Sequence, residues 1–217
     1  MFSKVLHFYK TPGFLKKISD DLVWDIPTNY KDIYLTFDDG PIPNLTEHVL
    51  DILDDFKAKA TFFCVGDNIF KYPSICKKVI EKGHAIGNHT FNHLKGWSIR
   101  NSEYIDNIQK CHEQILKYQK FKHKPLFRPP HGQITKYQIK NLKGDFNIIM
   151  WDILAYDFDN THSPIKSLNR IIRLTRPGSI VVFHDNYKAE SKLKYMLPRF
   201  LKHFKEHGFN FKKLDAN

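Results

Sequence analysis

The chain has no apolar run long enough for a secretory signal or a membrane span. Its first thirty residues, MFSKVLHFYKTPGFLKKISDDLVWDIPTNY, are repeatedly broken by charge. The expectation is therefore a mature protein that starts near Met1 and resides in the cytoplasm or peripherally at the inner membrane face. Cysteine is scarce: Cys64, Cys76 and Cys111 are widely spaced and form no CxxC pair, which argues against a disulfide framework and against a cysteine zinc site. Cys64, inside the run ATFFCV, reads as a small core residue. No Ser/Gly-rich linker, low-complexity tract or repeat interrupts the 217 residues, so one core is expected. Acidic residues are in deficit, and a net charge of +11 favours anionic partners: glycans carrying phosphate or carboxylate, acidic lipid headgroups, or nucleic acid. The lysines are scattered, however, and no nucleic-acid module or basic-aromatic stripe appears. No specific nucleic-acid partner is expected, and much of the charge reads as solvated surface.

What the chain does contain is a regular alternation of strand and helix signals from Lys31 onward. Ile33, Leu35 and Phe37 alternate with polar neighbours. Val49, Leu53 and Phe56 then fall at helical spacing behind Thr46 as a cap. A second strand, ATFFCV, precedes a helix from Pro73 to Gly83, and HAIGN is a third strand. Ser102 is expected to cap a helix carrying Ile105, Ile108, Ile115 and Leu116. LFRPP follows as an extended fourth segment and FNIIMWD as a fifth strand. Ser163 and Pro164 open a helix to about Leu174. SIVVFHD is a sixth strand, and a helix with Tyr195, Phe200, Leu201 and Phe204 stops at Gly208 before FNFKKL, the seventh. Seven βα steps imply an α/β fold, a barrel or a wound parallel sheet. The stretch TPGFLKKISDDLVW reads as a short helix with Phe14, Leu15, Ile18, Leu22 and Val23 apolar. It is expected on the base of the barrel, the alternative being an interfacial anchor that makes peripheral membrane contact.

Parallel α/β folds build their sites at the carboxyl ends of the strands. Those ends here carry Asp38-Asp39-Gly40, His89 with His93, Arg128, Asp157, and His184-Asp185, a set suited to hydrolysis. His89 and His93, four positions apart, can hold one metal from a helical turn or a tight loop. Two histidines and a carboxylate leave an open position for water, as in catalytic zinc or non-haem iron. Adjacent Asp38 and Asp39 point in different directions from an extended backbone, so one can bind metal while the other serves as base, and Gly40 permits a sharp turn behind them. His203-Phe-Lys-Glu-His207 has the same histidine spacing and the inverted zinc-protease pattern, yet it falls at a helix end where His and Lys complement the dipole. It is expected to be structural.

Five ordered motifs resemble the polysaccharide deacetylases with the NodB-homology domain, carbohydrate esterase family four. They are Thr36-Phe-Asp-Asp-Gly40, His89-Thr-Phe-Asn-His93, Arg128-Pro-Pro-His-Gly132, Trp151-Asp-Ile-Leu-Ala-Tyr-Asp-Phe158 and Val182-Phe-His184. The resemblance implies a distorted (β/α)7-type barrel over residues 31–217, preceded by an extension, residues 1–30, packed on it. It implies Asp38 as general base, Asp39, His89 and His93 as metal ligands, His184 as general acid held by Asp157, and Arg128 positioning Asp38. His131 would offer a backbone N–H to the oxyanion and line the substrate pocket with Phe158 and Val182. The metal it implies is divalent, zinc first, with cobalt, nickel, iron or manganese also fitting. The substrate would be an N-acetylated amino sugar in a glycan, an oligosaccharide or a lipid-linked precursor, the last suiting the basic charge. An O-acetyl esterase on xylan-like glycan, or a glycan-binding protein without catalysis, are the alternatives. Three departures from the family pattern are Leu154 where Asp is usual, Phe158 where Trp is commoner, and His131 where many members have Tyr or Phe. The sequence leaves the oligomeric state open.

Overall fold

Ile33, Leu35 and Phe37 are fully buried, as period-two alternation requires, but the intervening Thr36 is buried too, because this strand lies inside the sheet with neighbours on both sides. The structure is a computed structural model and describes residues 8–215. The strands are Leu22–Val23 (β1), Asp32–Asp38 (β2), Thr61–Cys64 (β3), Ala85–Asn88 (β4), Leu126–Phe127 (β5), Asn147–Ile149 (β6), Ile153–Leu154 (β7), Ile180–His184 (β8) and Asn210–Lys212 (β9). The helices are Gly13–Lys16 (α1), Leu45–Asp55 (α2), Gly66–Lys71 (α3), Pro73–Glu81 (α4), Asn101–Leu116 (α5), Lys136–Leu142 (α6), Pro164–Leu174 (α7) and Glu190–Glu206 (α8).

All strand pairs are parallel, in the order β1-β6-β5-β4-β3-β2-β8-β7, with β9 on the first half of β2. The sheet curls into a barrel of the (β/α)7 type wrapped by helices. Its core is aromatic: Phe37 stacks on Phe62 at 5.0 Å, and Phe183 meets Phe200 of α8 edge-on at 5.6 Å. Truncating such a ring, as in Phe37→Ala, is expected to cost about 3–5 kcal/mol through lost burial and the cavity left behind. Cys64, Cys76 and Cys111 are free and buried in this core. No helix among the described residues is long and apolar enough to cross a membrane.

Each of the seven expected strands has its counterpart, but several local expectations are corrected. The cap of α2 is Asn44, whose N–H is accepted by Glu47; Thr46 lies buried in the first turn, where its hydroxyl accepts the Ile42 N–H. Ser102 caps nothing, because α5 begins at Asn101 with Arg100 at the cap. FNIIMWD is not one strand: β6 ends at Ile149, which pairs with Val23 of β1, and the chain then re-enters beside β8 as β7. Ser163 does cap α7, accepting the Lys166 N–H at 3.3 Å with Pro164 at the first helical position.

The N-terminal stretch is mostly not helical. A single turn, α1, precedes β1, which pairs with β6, while Lys10 bridges Ile153 of β7 and the Leu154 N–H donates to the Tyr9 carbonyl. Residues 9–23 thus span the open side of the curled sheet between its two edge strands, satisfying edge groups that would otherwise face solvent. Tyr9 meets Leu154 near the rim, while Lys16 pairs with Asp152, which accepts the hydroxyl of Ser179 just ahead of β8.

Candidate active site and metal centre

Parallel register brings distant residues together. Asp38 at the end of β2 is paired with His184 at the end of β8 and with Phe63 of β3. His89 directly follows β4, and Arg128 follows β5 with its N–H donated to the Asn88 carbonyl. One rim therefore collects a carboxylate, an imidazole and a guanidinium from segments far apart in sequence.

His89 and His93 lie in a loop, not on a helix. Thr90 (φ 61°) and His93 (φ 55°) adopt left-handed backbone conformations that turn His93 back toward His89, their ring centroids 5.1 Å apart. Asp39, at φ 84°, is turned out of the β2 line so that Oδ1 lies 3.0 Å from His93 Nε2 and 3.5 Å from His89 Nε2. The three ligand atoms fall within 4.8 Å of one another, the only such set of His, Cys, Asp and Glu among the described residues. His89 Nδ1 lies 2.8 Å from the Arg128 carbonyl and donates to it, which leaves the Nε2 lone pair facing inward. Asn68 donates to the Asp39 carbonyl and Asn186 to its Oδ2, fixing the carboxylate. Burial alone would raise the Asp39 pKa; the bonds from His89 and His93 and the charge on His184 hold it well below the ordinary carboxylate range. Two imidazole nitrogens and one ionised carboxylate, with His89 and Asp39 each oriented by an outer partner, fit a divalent metal of the zinc type.

On one side of this set stands Asp38, 4 % exposed, and behind it the fully buried Arg128. The guanidinium donates to Asp38 Oδ1 at 2.7 Å, Thr36 Oγ1 at 2.8 Å, the Met150 carbonyl at 2.9 Å and the Ile149 carbonyl at 3.3 Å, and it stacks on Phe63. A buried cation with all these acceptors is satisfied, and it fixes the Asp38 carboxylate in place. On the other side, His184 Nδ1 is 2.8 Å from Asp157 Oδ1, and the His184 N–H donates to Asp157 Oδ2 at 2.7 Å. Burial alone would lower the His184 pKa; Asp157, by charge and hydrogen bond, then Asp39 and Asp38, raise it to about 9. The site thus sets a carboxylate, anchored by Arg128, and an imidazole of raised pKa, anchored by Asp157, beside one metal-binding set, the two kinds of group that a base and an acid require.

Asp38, Asp39, His89, His93 and His184, with Arg128 and Asp157 buried behind them, line a cleft of about 620 Å³ whose walls include His131, Phe158 and Val182. Phe158 stands edge-on to His184 at 4.8 Å. His131 is left-handed at φ 56°, and burial, followed by the nearby His93 and Lys95, brings its pKa down to about 4, so its ring is neutral. All ten residues singled out in the sequence therefore converge here. Gly40 is needed for a different reason than expected. The positive φ falls on Asp39, and a Cβ at Gly40 would lie 2.0 Å from Asp185 Oδ2. Asp185 accepts the Gly40 N–H and the Thr46 hydroxyl, and burial raises its pKa to about 8.

Sequence inspection did not single out Asn68, Asn186, Trp151, Tyr156 or Lys188, which support or line the cleft. Asn186, two positions beyond His184, was the most accessible of these to a strand-end argument. The second pair, His203 and His207, lies in the last turn of α8, where His207 Nδ1 bonds the His203 carbonyl.

A family model for polysaccharide deacetylase matches residues 25–144. A peptidoglycan-N-acetylglucosamine deacetylase of Bacillus cereus is 35% identical over 199 residues, covering 88% of this chain and 89% of that protein. The chain belongs to the polysaccharide deacetylase family. Another relative in the family, a chitooligosaccharide deacetylase of Azorhizobium caulinodans, is 39% identical over 166 residues, 74% of this chain and 76% of that one. A solved peptidoglycan N-acetylglucosamine deacetylase superposes with a TM-score of 0.85 at 30% identity, covering 94% of this chain and 95% of the other. Polysaccharide deacetylases of carbohydrate esterase family four share the curled parallel sheet seen here, and both named relatives are N-deacetylases.

Proposed function

We propose that this protein is a metal-dependent N-deacetylase of N-acetylated amino sugars in a glycan or glycan precursor, with zinc as the metal. The observation that carries the reading is the placement in one cleft of the Asp39/His89/His93 donor set between the Arg128-bound Asp38 and the Asp157-bound His184. Cobalt, nickel, iron or manganese would suit the same donors.

Asp39, His89 and His93 would hold a divalent ion, which would supply an acidified water and polarise the amide carbonyl. Asp38, oriented by Arg128, takes the proton as the water oxygen bonds to the carbonyl carbon. His184, whose Nδ1 is held by Asp157, has Nε2–H free to donate to the amide nitrogen. The carbon–nitrogen bond then breaks, leaving acetate and the free amine of the sugar. Phe158 and Val182 give the acetyl methyl an apolar wall. The backbone around His131 would face the developing oxyanion.

The test is acetate release from N-acetylglucosamine oligomers and acetylated xylan by metal-loaded protein, compared with Asp38→Ala and His184→Ala. The expected result is release from the amide substrates, reduced about 10²–10⁴-fold in each variant. Release from xylan alone would assign an esterase, and no release with metal still bound would overturn catalysis.

A further inference from the structure

Beside the catalytic cleft runs a second groove of about 340 Å³, and the two share a wall made of His131, Trp151, Leu154 and Tyr156. Its other side is the N-terminal stretch, through Phe8, Leu15 and Ile18, facing Ile134, Ile139 and Met150. All three tryptophans of the chain, Trp24, Trp97 and Trp151, line it. Trp97 is 66% exposed, yet its Nε1 donates to the Ile134 carbonyl at 3.1 Å, so the ring is held in place at the mouth. Phe8 and Ile18 are likewise about half exposed there, at 47% and 56%.

We infer that this groove binds an apolar chain attached to the sugar, so that the substrate is a glycolipid whose acetamido sugar occupies the cleft. The inference rests on the deacetylase reading and names the substrate class within it. Three observations support it. The lining is mainly aliphatic and aromatic; beside the tryptophan N–H groups its polar members are Thr11, His131, Lys136 and Tyr156, of which the Thr11 hydroxyl already donates to the Trp151 carbonyl at 2.7 Å and the Tyr156 hydroxyl accepts the Phe8 N–H at 3.1 Å. A second sugar ring there would leave most of its hydroxyls without partners, whereas a hydrocarbon chain loses nothing on leaving water. The groove adjoins the cleft, with His131, Trp151, Leu154 and Tyr156 lining both, so a ligand held at the metal set has only these residues to pass to reach it. Finally, Lys136 in the groove and Lys188 in the cleft place positive charge along the path, which suits an anionic link between sugar and chain.

The experiment uses metal-loaded protein and a series of methyl, hexyl, octyl and decyl N-acetylglucosaminides below their micelle concentrations. Intrinsic tryptophan fluorescence reports groove occupancy independently of turnover, and acetate release reports catalysis. The expected result is that Kd and KM fall about fourfold for each methylene that enters the groove, with kcat little changed. Ile18→Asp should abolish that dependence while turnover of the methyl glycoside stays as in the wild type. Equal affinity along the series, with the methyl glycoside turned over, would overturn the inference and leave the deacetylase reading standing. Chain-length-dependent fluorescence without acetate release from any substrate would support the groove and sink the catalytic reading. A fluorescence change with phosphatidylcholine/phosphatidylglycerol vesicles, but none along the glycoside series, would mean that the groove takes bilayer lipid, and would likewise overturn it.

Discussion

His89/His93 and His203/His207 have the same spacing and opposite surroundings. The first pair lies in a loop at a strand end and faces Asp39, a carboxylate delivered by a different strand. The second stacks at 4.3 Å in the last turn of α8, where His207 bonds its own helix and the neighbouring Glu206 pairs with Lys202. Two imidazoles at a given spacing are common. What makes a centre is a third ligand arriving from elsewhere in the fold, together with outer partners that hold each ring in one tautomer.

The largest effect expected is from His93→Ala or Asp39→Ala. Either should remove the bound metal, measured as metal per chain, and lower acetate release by more than about 100-fold, beyond what loss of an outer-shell contact alone costs. Retention of metal by both variants would erase the difference between the two histidine pairs. Next comes the buried support. Arg128→Met leaves Asp38 as a buried carboxylate without its cation, and urea denaturation should show a loss of about 3–5 kcal/mol.

The Asp157→Asn variant sharpens the contrast between a supported imidazole and an ordinary one. Because the His184 pKa is raised when folded, its pairing stabilises the protein fully below the unfolded value, about 6.5, and that contribution is lost as pH rises through about 9. Activity that needs protonated His184 should fall over the same upper range. In Asp157→Asn the alkaline limb of the rate profile should move down toward roughly 6.5, and a limb that stayed put would remove His184 from the role of acid. The smallest effect is expected from His207→Ala: unchanged metal content and a stability loss of about 0.5–1.5 kcal/mol, the worth of its hydrogen bond to the His203 carbonyl.

Much of this was legible in the chain itself. The seven expected strands and the helices behind Pro73 and Pro164 follow from periodicity and proline placement, and the polar residues just past the strands mark the rim. What escaped is explained by length and by long-range contact. β1 and β7 are two residues each, too short for any period to register, and α3 and α6, of six and seven residues, are no longer than about two turns. Thr46 has the chemistry of a cap, but Asp185, far away in sequence, claims its hydroxyl. Gly40 looked like a turn residue because its true constraint, the Asp185 carboxylate against its Cα, is invisible until β2 and β8 pair.

By itself the sequence determined the alternation of elements and the chemical inventory at the strand ends, since both depend on local pattern: burial period, proline and glycine punctuation, and residue type. Only the tertiary structure decided which carboxylate meets the histidines, which cation lies behind Asp38, and that the N-terminal stretch borders the site. These are matters of strand register and sheet curvature. They bring together residues as distant as Thr46 and Asp185, or Thr11 and Trp151, whose contact free energy appears only after the chain between them has folded.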